Sequence, residues 1–74
     1  MEERELDTRG LNCPLPVLKA RKTLQGMAKD ERLRVLATDP KAPGDLAELC
    51  AAAGHRLISS SEEAGVFVVV VARA

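Results

Sequence analysis

The chain has no tryptophan, no tyrosine and a single phenylalanine, Phe67. Recognition of single-stranded RNA uses aromatic faces on which bases stack, and such a platform cannot be assembled from one ring. Net charge is missing too. Eleven basic and eleven acidic side chains cancel, so the overall balance points to neither nucleic acid, a membrane surface nor a strongly charged substrate. The longest apolar run, Val66 to Ala72, falls far short of the roughly 20 residues that span a bilayer. The start, Met1-Glu2-Glu3-Arg4-Glu5, lacks the basic and apolar regions of a secretory signal, and a cytoplasmic location is expected. Only two cysteines occur, with no Cys-x-x-Cys pair, which argues against a thioredoxin-like dithiol mechanism and for two free thiols with separate roles. The one histidine, His55, has no second imidazole or cysteine at ligand spacing, so no metal site is expected. At 74 residues the chain reads as one domain, 1–74, able to bury only about 60% of its unfolded surface.

What is present centres on Gly10-Leu11-Asn12-Cys13-Pro14-Leu15-Pro16. Pro14 biases the residue before it toward extended backbone while its own fixed φ suits a first helical position, which predicts Cys13 as the N-cap of a helix. Pro16 has no amide, so the Leu15 amide is the local donor left to meet the cap. A cysteine at a helix start has its pKa lowered from about 8.5 toward roughly 3.5–7.5, and the thiolate is the nucleophile. Pro16 disfavours helical backbone at Leu15, however, and a helix beginning at Pro16 would weaken the cap.

Around that stretch, Glu3 to Thr8 carries one apolar residue, Leu6, and reads as a short edge strand. Gly10 permits the positive-φ turn into the helix, and Asp7 is placed to hydrogen-bond that turn. Val17, Ala20, Leu24, Met27 and Ala28 recur on one helical face between Pro14 and about Met27, with Lys19 and Lys22 pointing away. Arg32 to Thr38 alternates like a strand and stops at Asp39-Pro40. Leu46, Leu49, Cys50 and Ala53 mark a second amphipathic helix, with Asp45 in its first turn and Gly54 ending it. Arg56 to Ser60 and Val66 to Arg73 form a hairpin around Ser61–Gly65. The order βαβαββ predicts an α/β (α+β) two-layer sandwich, with both helices on one face of a four-stranded mixed sheet. The run from Val66 through Phe67 to Val71 is apolar on both faces, so its strand is expected to be central. Its outer side chains are ordinary exposed valines or, alternatively, the seat of a partner or of a second copy in a homodimer.

The string from Leu6 to Pro16, with Cys-Pro-x-Pro preceded by Gly10 and Asp7, resembles the signature of the TusA/SirA-like sulfur-carrier family. Arg21-Lys22-Thr23, Asp39-Pro40, Asp45 and Gly54-His55 are similar to that family as well, so the resemblance runs through nearly the whole chain. It implies a sulfurtransferase of the protein persulfide carrier type. Cys13 would accept a sulfane sulfur from a donor protein, a cysteine desulfurase or a rhodanese-like protein, and relay it to an acceptor protein in tRNA thiolation, molybdenum-cofactor sulfur supply or sulfur oxidation. Attack of a thiolate on a persulfide is the displacement of thiol–disulfide exchange, and it requires no metal or organic cofactor. The resemblance also implies docking to large partners. Arg21 and Lys22, on the helix that follows Cys13, are the candidate docking residues, set against the plainer reading of a solvated helix face.

Other residues carry plainer readings. Cys50 lies on an apolar stripe, where a cysteine behaves as a small hydrophobe. His55 reads as a surface or cap histidine, Asp7 as a loop-structuring residue, and Glu62 and Glu63 as solvation. The competing function is a regulatory or RNA- or protein-binding module without chemistry, because the family's fold resembles an RNA-binding domain of a bacterial translation initiation factor; fold analogy alone is a weak warrant.

Overall fold

The structure, a computed structural model, describes residues 3–74. Six elements follow the expected order: β1 (Glu3–Thr8), α1 (Leu15–Gln25), β2 (Arg32–Ala37), α2 (Ala42–Ala53), β3 (Arg56–Glu63) and β4 (Val66–Ala72). They form one four-stranded sheet ordered β1-β2-β4-β3. β1 runs parallel to β2, and β4 is antiparallel to both of its neighbours. The sheet is mixed, and the valine strand is interior.

One face of the sheet is covered and holds the core. Leu33 and Val35 of β2 stand opposite Val71 and Val69 of β4, and all four are fully buried against Ala20 and Leu24 of α1 and Leu46 and Cys50 of α2. Alternation puts every second strand residue on that face, and Leu6 reaches it from β1 as a partly buried contact. α1 lies over β1 and β2, α2 lies over β3 and β4, and the two helices touch. On the other face the acidic residues of β1 stand beside the arginines of β2, with Arg34 3.9 Å from Glu5, and Val66, Val68 and Val70 are half-buried.

Several boundaries differ from expectation, among them the end of β4, at Ala72 rather than Arg73. α1 ends at Gln25 because Gly26 accepts the role of C-cap, its amide donating to Thr23 O, so Met27 is buried beyond the helix rather than on it. β2 stops at Ala37, one residue early, and Thr38 turns its hydroxyl to the Gly10 amide at 2.9 Å. α2 starts at Ala42 and takes Pro43 into its first turn, where a missing amide costs nothing. The hairpin is tighter than predicted: β3 continues to Glu63, and only Ala64 (φ 52°) and Gly65 (φ 82°) make the turn. Two residues of positive φ match the twist of paired strands better than a five-residue loop does. Gly10 (φ 82°) and Gly54 (φ 78°) adopt the left-handed backbone expected of them.

Candidate functional site

A parallel pair of strands brings its two carboxyl ends to the same edge of the sheet, and each of these strands feeds a helix. The β1–α1 loop (9–14) and the β2–α2 loop (38–41) therefore lie side by side, at the starting ends of both helices. That placement joins residues far apart in sequence. The Thr8 hydroxyl, fully buried, donates to Leu36 O at 2.6 Å, and the Gly10 amide donates to Thr38 Oγ1.

Asp39 locks the two loops together. Its Oδ1 accepts the Lys41 amide at 3.0 Å, and its Oδ2 accepts the amide of Cys13 itself at 2.5 Å. Both bonds, with the Lys41 amide contributing most, hold the Asp39 carboxyl below the ordinary carboxylate range. Asp7 organises the neighbouring turn as expected of it: its carboxylate accepts the Arg9 amide at 3.0 Å and pairs with the Arg9 guanidinium at 2.8 Å. That side-chain contact is the main reason its pKa falls to about 2.

Cys13 is exposed and free, but it is not the helix cap. Pro14 occupies the N-cap position, no side chain caps the helix, and α1 starts at Leu15. The Leu15 amide, the donor expected to meet the sulfur, donates instead to Asn12 O at 2.9 Å. The Cys13–Pro14 bond is cis. Cys13 Sγ donates to Asp45 Oδ2 at 3.2 Å, across to the first turn of α2. The expectation of a depressed thiol pKa is therefore corrected. The hydrogen bond to Asp45 raises it above the ordinary value, with burial and the charges of Asp45 and Asp39 adding to the rise and Lys41 opposing it. The carboxylate in contact acts against the general attraction of a helix start for a thiolate.

A cleft of about 380 Å³ opens beside the sulfur between the two helices, lined by Cys13, Val17, Leu18, Arg21 and, across it, Asp45 and Leu49. Leu18 (50% exposed) gives the α1 wall an apolar surface, and Leu15 (45% exposed), at the start of the same helix, is exposed without lining the cleft. Of the predicted docking pair, Arg21 lines this cleft and Lys22 does not. Gly10 shapes the loop, Pro14 lines the cleft and Pro16 is buried in the first turn of α1. Sequence reasoning missed three participants. Asp39 and Asp45 stand out in the sequence as a strand stop, a first-turn acid and residues similar to the family, without a role at the thiol, although an aspartate two residues before a free amide is an Asx-turn signal; Leu18 falls outside the apolar stripe, which is the mark of an exposed leucine. Cys50 is buried in the core, away from the cleft lining, and burial pushes its thiol pKa up. Among the described residues no three His, Cys, Asp or Glu side chains converge as a metal cluster, and no helix is long and apolar enough to cross a membrane.

A family model described as Sulfurtransferase TusA matches residues 4–73. The chain belongs to the TusA family. Similar chains include a candidate sulfur carrier protein of Neisseria meningitidis serogroup A, 49% identical over 71 residues, covering 96% of each chain. The sulfur carrier protein TusA of Allochromatium vinosum is 46% identical over 65 residues, covering 88% of this chain and 86% of its own. A crystal structure of a SirA-like protein from Desulfitobacterium hafniense has a TM-score of 0.83, covers 92% of this chain and 93% of its own, and is 23% identical. That last likeness bears on the fold, and it matches the TusA-family architecture described above.

Proposed function

We propose that this protein is a sulfur carrier, that Cys13 is the atom-bearing residue, and that the sulfur travels as a Cys13 persulfide between a donor protein and an acceptor protein. The observation that supports this best is an exposed, unpaired thiol, held by its own amide on Asp39, at the mouth of an apolar cleft in a TusA-family chain. A carrier sulfur must be reachable by two different proteins in turn, and a loop at the edge of the sheet meets that need where a core thiol such as Cys50 does not. In the transfer, the Cys13 thiolate attacks the outer sulfur of the donor's persulfide. A new S–S bond forms, the donor's S–S bond breaks, and the donor cysteine leaves as a thiolate.

The docking face is the α1 side of the cleft. Leu15 and Leu18 supply apolar contact and Arg21 supplies charge for an acidic patch on the partner, with Lys22 adding to the long-range field. The donor is a cysteine desulfurase or rhodanese-like protein, the acceptor serves tRNA thiolation, molybdenum-cofactor sulfur supply or sulfur oxidation, and the setting is the reducing cytoplasm, where two free thiols persist. A second copy of the chain would seat on the half-buried valines of the open face.

Intact-mass measurement after incubation with a cysteine desulfurase, pyridoxal phosphate and cysteine tests the carrier role. The expected product is one added sulfur, removed by dithiothreitol, absent in Cys13→Ser and retained in Cys50→Ser. Wild-type protein that stays unmodified, with thiosulfate plus a rhodanese and with polysulfide as well, would sink the proposal in favour of a binding module.

A further inference from the structure

A sulfur nucleophile reacts as the thiolate, yet the Cys13 proton points at a carboxylate. Asp45 Oδ2 lies 3.2 Å from Sγ, so ionising the sulfur removes the shared proton and leaves two anions in contact. The other charged groups around the sulfur come from three elements. Asp39, in the β2–α2 loop, binds the Cys13 amide and adds a second negative charge. Lys41 of the same loop offers the opposing charge. Arg21 of α1 and Glu48 of α2 line the cleft that leads away. The backbone that carries Asp45 is fixed beside the sulfur, because its amide donates to Lys41 O at 3.0 Å and the next residue, Leu46, is fully buried in the core.

We propose that Asp45 is a positioning residue that keeps Cys13 a protonated thiol in the free protein, and that a cationic side chain of the sulfur donor frees the thiolate by pairing with Asp45 on docking. The proposal rests on the carrier reading of Cys13. Before docking, the neutral thiol is a poor nucleophile toward adventitious disulfides and oxidants. A cation set against Asp45 cancels the repulsion, the proton passes to water, and the displacement written above follows with no change in the number of electrons shared among the sulfurs. After loading, Sγ is bonded to the new sulfur and has no proton to donate. Asp45 then repels the anionic outer sulfur and turns it toward solvent, where an acceptor can reach it.

The test reads alkylation of Cys13 by iodoacetamide, by peptide mass mapping, from about pH 6 to about pH 11.5, a range that spans the free-thiol value and extends well above it. Asp45→Asn keeps the shape, Asp45→Ala leaves no donor that could itself hold a thiolate, and Asp45→Lys places a cation where the partner's is proposed. All three midpoints are expected to move to lower pH, with Asp45→Lys furthest. Each unit of movement raises the thiolate fraction near neutrality about tenfold and, because nucleophilicity falls with pKa, the rate about threefold. A midpoint unmoved or raised in Asp45→Ala and Asp45→Lys would overturn the restraint. Sulfur loading from the cysteine desulfurase supplies the second readout: Asp45→Lys is expected to alkylate faster yet load more slowly, because two cations then meet. Loading as fast as wild type would overturn the partner cation. Alkylation needs no sulfur donor, so a wild-type protein that loads no sulfur removes the carrier reading and the partner's role with it, while the midpoints still decide the restraint.

Discussion

Asp39 holds a thiol-bearing loop and its own loop with two oxygens of one carboxylate, and this makes the site sensitive to acid at a single residue. Its folded pKa is depressed, so its contribution is present above the ordinary carboxylate value of about 3.9 and is lost as pH falls through the folded value. In proton–nitrogen correlation spectra the amide signals of Cys13 and Lys41 should shift together on acidification below about pH 4. Independent movement of the two signals would show that the bridge does not persist in solution. At this scale the sequence was read half correctly. Gly10 and Asp7 were legible because a glycine and an Asx turn act on their immediate neighbours. The contact between the thiol and Asp45 was not, because the two residues lie 32 positions apart and local rules see only the helix start. The cap failed for a local reason that was visible: two prolines flank Leu15, and the amide meant for the sulfur closes a turn onto Asn12 instead.

At the scale of elements, α2 is the part that carries the chemistry's electrostatics while being held by apolar contact. Leu46 is fully buried beside Asp45, so Leu46→Ala should destabilise the fold by about 2–5 kcal/mol and blur the Cys13–Asp45 contact. Urea unfolding would measure the first effect and the alkylation profile the second. A loss under about 1 kcal/mol, less than one removed methylene group is worth in some cores, would show that α2 is anchored elsewhere. Element identity and order were legible throughout, since the periods of 3.6 and 2 are strong in α1, β2 and α2. The hairpin length was not, because Ser61-Glu62-Glu63 has turn composition but is recruited into β3 by pairing with Val68, Phe67 and Val66 of β4. A long apolar neighbour overrode local preference.

At the scale of the whole molecule, opposite charges offset to zero while the cleft keeps its own pattern, Arg21 on one wall and Asp45 with Glu48 on the other. Recognition should therefore rest on local complementarity. Arg21→Glu is expected to slow sulfur loading by the desulfurase through a lower association rate, with the deficit shrinking as salt is raised over the range where the Debye length falls from about 10 Å to about 3 Å. A deficit that salt leaves untouched would assign Arg21 to packing instead.

The place of β4 has a consequence for how the protein comes into being. It follows every other described element in the chain, yet it is inserted between β2 and β3. Until its residues leave the ribosome, β1 and β2 can pair through a local crossover, but β3 has nothing to join and half the core has no floor. Folding of the nascent chain must therefore wait for Val66–Ala72 and end in a late, long-range strand insertion, the slow kind of step. The two loops that meet at the thiol both precede α2 (Ala42–Ala53), so the reactive centre can be roughed out early. Its companion helix is pinned only when β4 arrives, which ties the finished site to the insertion of that strand.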